Sequence, residues 1–182
     1  TNSLNKYVIY NYVEDTWYHG NLSRTAWLDS GLRDFPLAAT YNSNLVNHEE
    51  GVDDNELGAN TPITATISSG EFDIEDGDRF SFVHRVIPDI TFNGSTAVSP
   101  TATMTLSPLN NSGSGYNNPA SVGGSNSGAV IRTAVVSIEQ FTGQVNTRVR
   151  GRQLSFTVSS DAAGVTWQLG SPRIDVRPDG RR

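Results

Sequence analysis

The chain has 182 residues, 13 basic against 19 acidic side chains and no Cys, for a net charge of −6. One domain of this length buries a full core, and two small ones also fit. No apolar run reaches the roughly 18 residues of a membrane helix, the lack of Cys excludes a disulfide framework or thiolate metal site, and the acidic balance argues against a general nucleic-acid binder with a basic face.

The first residues, Thr1 to Lys6, have neither the basic start nor the apolar stretch of a signal peptide. The missing initiator Met leads us to expect a chain processed or cut from a longer one. Charge is unevenly placed along it. Up to Ile90 there are 15 acids and 5 bases, a charge of −10; from Thr91 onward there are 4 acids and 8 bases, a charge of +4. The bases are twelve Arg and the single Lys6. Between Asp89 and Arg132 lie 42 uncharged residues dominated by Ser, Thr, Asn, Gly and Pro. A polar but neutral stretch of this kind fits β-structure with long loops better than a solvated tail.

In chain order, Tyr7 to Tyr12 and Thr16 to His19, separated by Glu14-Asp15, predict a hairpin. Leu45 to Glu49 and Ile63 to Ile67 are further strand candidates. In Phe80 to Ile87, strict alternation places Phe80, Phe82, His84 and Val86 on one face and Ser81, Val83, Arg85 and Ile87 on the other. Thr103 to Leu106, Thr133 to Ile138, Val145 to Arg150 and Leu154 to Val158 also alternate with period two. The last strand is expected over Val165 to Leu169, continuing through Arg173 to Val176. Ser23 to Leu32 comes nearest to a helical stripe, but Gly31 and Pro36 limit it. The chain therefore reads as all-β: an antiparallel β-sandwich, jelly-roll-like, over 61–182. Before it, residues 1–60 read as propeller-like terminal strands and an acidic, turn-rich linker. A lone propeller blade needs neighbours to cover its faces and edges. Ser107 to Ala129 reads as a Gly/Ser/Asn loop or as an arm that orders against a neighbouring subunit.

Four carboxylates, Asp73, Glu75, Asp76 and Asp78, are weak candidates for a hard cation. The EF-hand spacing fails, because Gly77 falls fifth from Asp73 and the twelfth position is His84. The plainer expectation is a hairpin turn shaped by Asp76 and Gly77, with no metal and no cofactor. His19, His48 and His84 lack ligand spacing, and His48-Glu49-Glu50 lacks a second His at position 52, which is Val. His84 reads as a hydrogen-bonded interior residue. No Gly-x-Ser-x-Gly elbow is present, since Ser127 stands where its last Gly would fall. A carboxylate pair for glycoside hydrolysis is defined by a spatial separation that sequence does not display. Nothing names an enzyme.

Arg is the remaining signal. Arg148 and Arg150 share a strand face, Arg152 follows Gly151, and Arg173, Arg177, Arg181 and Arg182 close the chain. Guanidinium groups pair bidentately with carboxylates and keep their charge at interfaces. An acid-rich and an Arg-rich part on one chain would let identical subunits pair heterologously. Arg148, Arg150, Arg152, Arg173 and Arg177 are thus the candidate subunit-interface residues, against the alternative of a solvated strand face.

Several stretches together resemble a known family. They are Tyr7 to Tyr12 with Asp15-Thr16-Trp17-Tyr18; Arg24 to Asp29; His48 to Asp53; Phe72 to Asp78 with Arg85 to Asp89; Arg148 to Gln153; and Trp167 to Gly170 with Arg173 to Gly180. The chain resembles the C-terminal part of the tail nozzle proteins of short-tailed phages, also called packaged-DNA stabilisation or tail tubular proteins. That resemblance implies a non-enzymatic structural protein of the virion, located in the phage tail. It implies a homo-oligomeric ring, a hexamer, below the portal and its adaptor, in contact with adaptor and other tail proteins and with no membrane. The ring would line part of the channel that DNA passes without specific binding, and would retain packaged DNA until ejection. An acidic channel suits this, because it does not hold phosphate. The alternative is a carbohydrate-binding or adhesin-type β-sandwich module, with Trp17, Trp27, Trp167 and Tyr116 as candidates, although a buried Trp is the commoner outcome in a β-core.

Overall fold

The computed structural model describes residues 4–109 and 133–179. Packing divides the chain into two compact units, Thr1–Ala59 and Asn60–Arg182. Tyr116, Arg132, Arg181, Arg182 and most of the predicted Ser107 to Ala129 loop lie outside the described residues. Every described element is a strand, every pairing between the strands of each unit is antiparallel, and no sheet closes on itself among the described residues.

In the first unit, β1 (Lys6–Asn11) and β2 (Thr16–Asn21) form the predicted hairpin, in register from Lys6 opposite Asn21 to Asn11 opposite Thr16. Its turn is built by Asn11, whose side-chain oxygen accepts from the backbone N–H of Val13 and Glu14, the Asx geometry that makes Asn a turn former. Asp15 takes the left-handed conformation that closes it. A second sheet has the order β3 (Ala26–Leu28), β4 (Leu37–Ala39), β5 (Leu45–Asn47), and β6 (Asp53–Asp54) follows. Few side chains here are buried; Ala38 and Thr40 are. Large apolar groups on both faces of the hairpin stay exposed, among them Val8, Ile9, Tyr10, Trp17 and Tyr18.

The second unit contains β7 (Thr61–Pro62), β8 (Ala65–Ser68), β9 (Phe72–Asp73), β10 (Ser81–Ile87), β11 (Ile90–Thr91) and β12 (Thr101–Leu109). After these come β13 (Ala134–Glu139), β14 (Val145–Gly151), β15 (Gln153–Ser160), β16 (Gln168–Leu169) and β17 (Arg173–Pro178). The larger sheet has the order β13-β12-β15-β8, with β9 also paired to β15. A three-stranded sheet has the order β14-β10-β17, and β11 pairs with β16. Period-two burial runs along β12, where Ala102, Met104 and Leu106 point inward, and along β14, where Thr147 and Val149 do. Val83, Val86 and Val149 of the three-stranded sheet join Met104, Leu106, Ile138, Leu154 and Val158 of the larger one in a single apolar cluster. Each of the larger of these side chains stabilises the fold by about 1.5–3 kcal/mol through its removal from water.

Two expectations fail for identifiable reasons. Alternation in β10 is interrupted by a bulge between Val83 and Arg85. Val83 and Val86, predicted on opposite faces, are therefore both buried, and Phe82 and Val86 part company. The expected continuous strand from Val165 to Val176 is two strands with different partners, β11 for β16 and β10 for β17. Asp89 causes the break: its carbonyl accepts from Gly170 N–H at 2.8 Å and its carboxylate from Ser171 N–H at 2.7 Å. The contact leaves no room for a Cβ at position 170.

Candidate functional site: an arginine-rich sheet face

In β14 the inward residues Thr147, Val149 and Gly151 leave Asn146, Arg148 and Arg150 outward. In β17 Ile174 and Val176 pack on the core, so Arg173, Asp175 and Arg177 turn away from it. Strand order then does what neither segment does alone. β10 lies between them, with Phe82 opposite Arg150 on one side and Arg177 on the other. Arg85 stands between Asn146 and Asp175, and Ile87 is opposite Arg173. Four candidates from two distant stretches, Arg148, Arg150, Arg173 and Arg177, thus share one face with Arg85. Five guanidinium groups meet two carboxylates there, Asp175 and Asp179.

Those carboxylates are engaged. Arg85 Nη2 donates to Asp175 Oδ2, which also lies 3.7 Å from His84 Nε2. Arg150 Nε donates to Asp179 Oδ2. The Arg150 guanidinium sits 4.0 Å over the Phe80 ring and that of Arg152 4.9 Å from it, a cation–π arrangement worth about 0.5–1 kcal/mol per pair where exposed. Arg148, Arg173 and Arg177 are exposed and have no ion-pair partner among the described residues. Arg152, past the end of β14, joins Arg150 on Phe80 instead of extending the outer row. His84 is half-buried at the bulge and its Nδ1 has no hydrogen-bond partner, so the expected hydrogen-bonded interior residue is not what forms.

The acidic segment is a turn between β9 and β10. Ile74 anchors it: its side chain is buried and its N–H donates to Arg152 O at 2.8 Å. Positive φ falls on Glu75 (57°) and Gly77 (68°), and not on Asp76. Asp73 Oδ1 accepts from Gln153 Nε2 at 2.7 Å, and Asp78 pairs with the adjacent Arg79 at 3.4 Å. Glu71, Glu75 and Asp76 are exposed. Among the described residues no three His, Asp or Glu side chains gather as a cation site.

The first unit has a separate polar network. Arg24 Nε donates to His48 Nε2 at 2.9 Å and Arg24 Nη1 to Glu56 Oε2 at 3.2 Å. Trp27 lies against the His48 ring at 4.5 Å. Burial first, and then the neighbouring Arg24 charge, hold His48 below its ordinary value of 6.5, against the opposite pull of Glu49, Asp54 and Glu56. Trp17, 67 % exposed, stacks on Tyr10 at 4.5 Å. The hydrogen bond from Tyr10 to Asp15 raises that phenol above its ordinary pKa. Trp27 is 53 % exposed, so two of the three Trp escape the burial expected in a β-core. Trp167 is half-buried, and its Nε1 donates to Ser160 Oγ at 2.9 Å.

Sequence reasoning missed Arg85, Phe80, Phe82, Asp175 and Asp179 as parts of the arginine face, and the Arg24–His48–Glu56 network entirely. Arg85 was hidden by the bulge; the network joins residues up to 32 positions apart, a separation with no periodic signal. The arrangement is suited to holding carboxylates by exposed guanidinium groups. The chain matches no protein-family model and no curated protein.

Proposed function

We propose that the chain is a structural protein of a phage tail, a nozzle or tail-tube component that works through contacts between copies and not through catalysis. In that role it forms part of the DNA channel and retains packaged DNA until ejection, as a ring with adaptor and other tail proteins as neighbours. The observation that carries this reading is the collection of Arg148, Arg150, Arg173, Arg177 and Arg85 on one exposed sheet face. The same chain carries its excess acid elsewhere: residues 1–59 hold 9 acids and 3 bases, and residues 60–182 hold 10 of each. Opposite charge in separate places on one chain favours heterologous pairing of identical copies. The motif resemblance supplies the tail, the hexameric ring and the absence of enzymatic chemistry. A net charge of −6 on the chain favours letting DNA slide over gripping it.

The finer architecture belongs to the same reading. A core cluster shared by the β14-β10-β17 and β13-β12-β15-β8 sheets favours a jelly-roll-like sandwich. The small sheets of residues 1–59, with uncovered aromatic faces, favour terminal propeller-like strands that neighbours would cover. The exposed Tyr10–Trp17 stack favours one second reading, a carbohydrate-binding module, since such rings present a flat face to sugars. Negative-stain microscopy of the chain separates the two: rings are expected. A monomer that binds on a glycan array and loses binding in Trp17→Ala would replace the tail reading with the carbohydrate one.

A further inference from the structure

We propose that the arginine face receives the acidic β9–β10 turn of a second copy of this chain, so that the second unit carries both halves of a head-to-tail contact. This rests on the reading of the face as a protein-contact surface and names the segment that occupies it. Three arginines of the face, Arg148, Arg173 and Arg177, are exposed and unpaired among the described residues, and so are three carboxylates of the turn region, Glu71, Glu75 and Asp76. None of the six reaches another within one copy, although they belong to the same unit.

Rigidity on both sides agrees with the match. Arg173 and Arg177 stand four residues apart on β17, about 13 Å at ~3.3 Å per strand residue. The turn is held by Phe72 and Asp73 pairing with Leu154 and Gln153, by the Ile74 anchor, and by the left-handed Gly77, where a Cβ would stand 2.7 Å from Asp73 Oδ1. Its carboxylates are thus presented by a fixed loop, which lowers the ordering cost of a contact. Asp175 and Asp179 interleave with the arginines.

The test uses the full chain in sedimentation velocity at about 50 mM and about 500 mM NaCl, where exposed charge pairs are respectively felt and screened. Wild type is expected to associate at low salt and dissociate at high salt. R148E/R177E and E75R/D76R are each expected to lose roughly 100-fold in association constant, because like charges then face each other. Mixed one to one, the two variants are expected to recover association, since each supplies the half the other has lost. Circular dichroism checks the fold, and the neutral pairs R148Q/R177Q and E75Q/D76Q give about a tenfold loss with no reversed charge to disturb folding. Association of E75R/D76R at the wild-type level, or a mixture no better than its parts, overturns the assignment while leaving the ring reading in place. A wild-type chain that stays monomeric at low salt takes both down. Binding of a fluorescent DNA duplex at about 150 mM salt that R148E/R177E abolishes also overturns it, in favour of the nucleic acid.

Discussion

Gly151 ends β14 and leads into β15, and its lack of a side chain is a packing requirement. A Cβ built there would lie 2.9 Å from Gln153 O, 3.0 Å from Leu109 O and 3.0 Å from Pro108 Cβ. Ordinary contacts are about half an ångström longer, and two of the three atoms are backbone. Leu109 O already accepts the Arg152 N–H at 2.9 Å, so backing it away weakens that bond. Overpacking of this kind costs about 1–3 kcal/mol, and a weakened backbone hydrogen bond adds up to about 1 kcal/mol. Gly151→Ala is therefore expected to destabilise the second unit by about 2–3 kcal/mol, a fall in Tm of roughly 8–12 °C. Gly143 is the control: a Cβ there meets nothing within 4 Å and the backbone is not left-handed. Gly143→Ala should stabilise by about 0.4–1 kcal/mol through the unfolded chain. Urea unfolding followed by Trp167 emission, in a Trp17→Phe/Trp27→Phe background, reads the second unit alone. If the two alanine variants fall within about 0.5 kcal/mol of each other, the steric reasoning is wrong.

Three further outcomes follow from other contacts. Thr147 is buried and its Oγ1–H donates to Val83 O at 2.9 Å beside the bulge; Thr147→Val should cost about 1–2 kcal/mol in the same urea assay, and Thr147→Ser should recover most of it. Leu154 is fully buried between its ladder partners Pro108 and Phe72, so Leu154→Ala should cost about 3–5 kcal/mol, with a lowered urea midpoint and an unchanged slope. His48 accepts a hydrogen bond from Arg24 and so must be neutral at Nε2. Because its folded pKa lies below the unfolded value of 6.5, the unfolded state binds the proton more readily. Its contribution to the first unit is therefore present above pH 6.5 and lost as pH falls below that value. His48→Gln, which keeps an acceptor but does not titrate, should flatten that part of the stability–pH curve measured by Trp27 emission; a curve of unchanged slope would count against the neutral-His48 assignment.

The elements readable from sequence are those whose period is set locally. β12, β14 and β15 alternate because each has one face on the core, and Arg148 and Arg150 could be placed together on that ground alone. What sequence did not display depends on distant partners. Whether Arg173 and Arg177 join Arg150 is decided by the order β14-β10-β17, and no spacing within the chain encodes that order. The bulge at His84 is likewise set by how β10 fits two neighbours, and it reversed the predicted faces of Arg85 and Val86. The three-residue strands β3, β4 and β5 are too short to carry a period. Asp89, 81 positions before Gly170, cuts a strand that local alternation would continue. In the acidic turn, the left-handed conformation falls on Glu75, a residue type that gives no hint of it.

The bulge has a geometric result for the sheet as a whole. From the row of Phe82 to the row of Arg85, β17 advances two residues, Arg177 to Asp175, while β10 advances three and β14 four, Arg150 to Asn146. Three strands of unequal length bound the same two rows, and the bulge takes up the additional residues of β10 and β14. On the β17 side Asp175 comes within reach of both Arg85 and His84. On the β14 side an additional outward position opens between the two rows, and Arg148 occupies it with no ion-pair partner among the described residues. The uneven chain length thus sets an acid beside Arg85 on one flank of β10 and a lone guanidinium on the other.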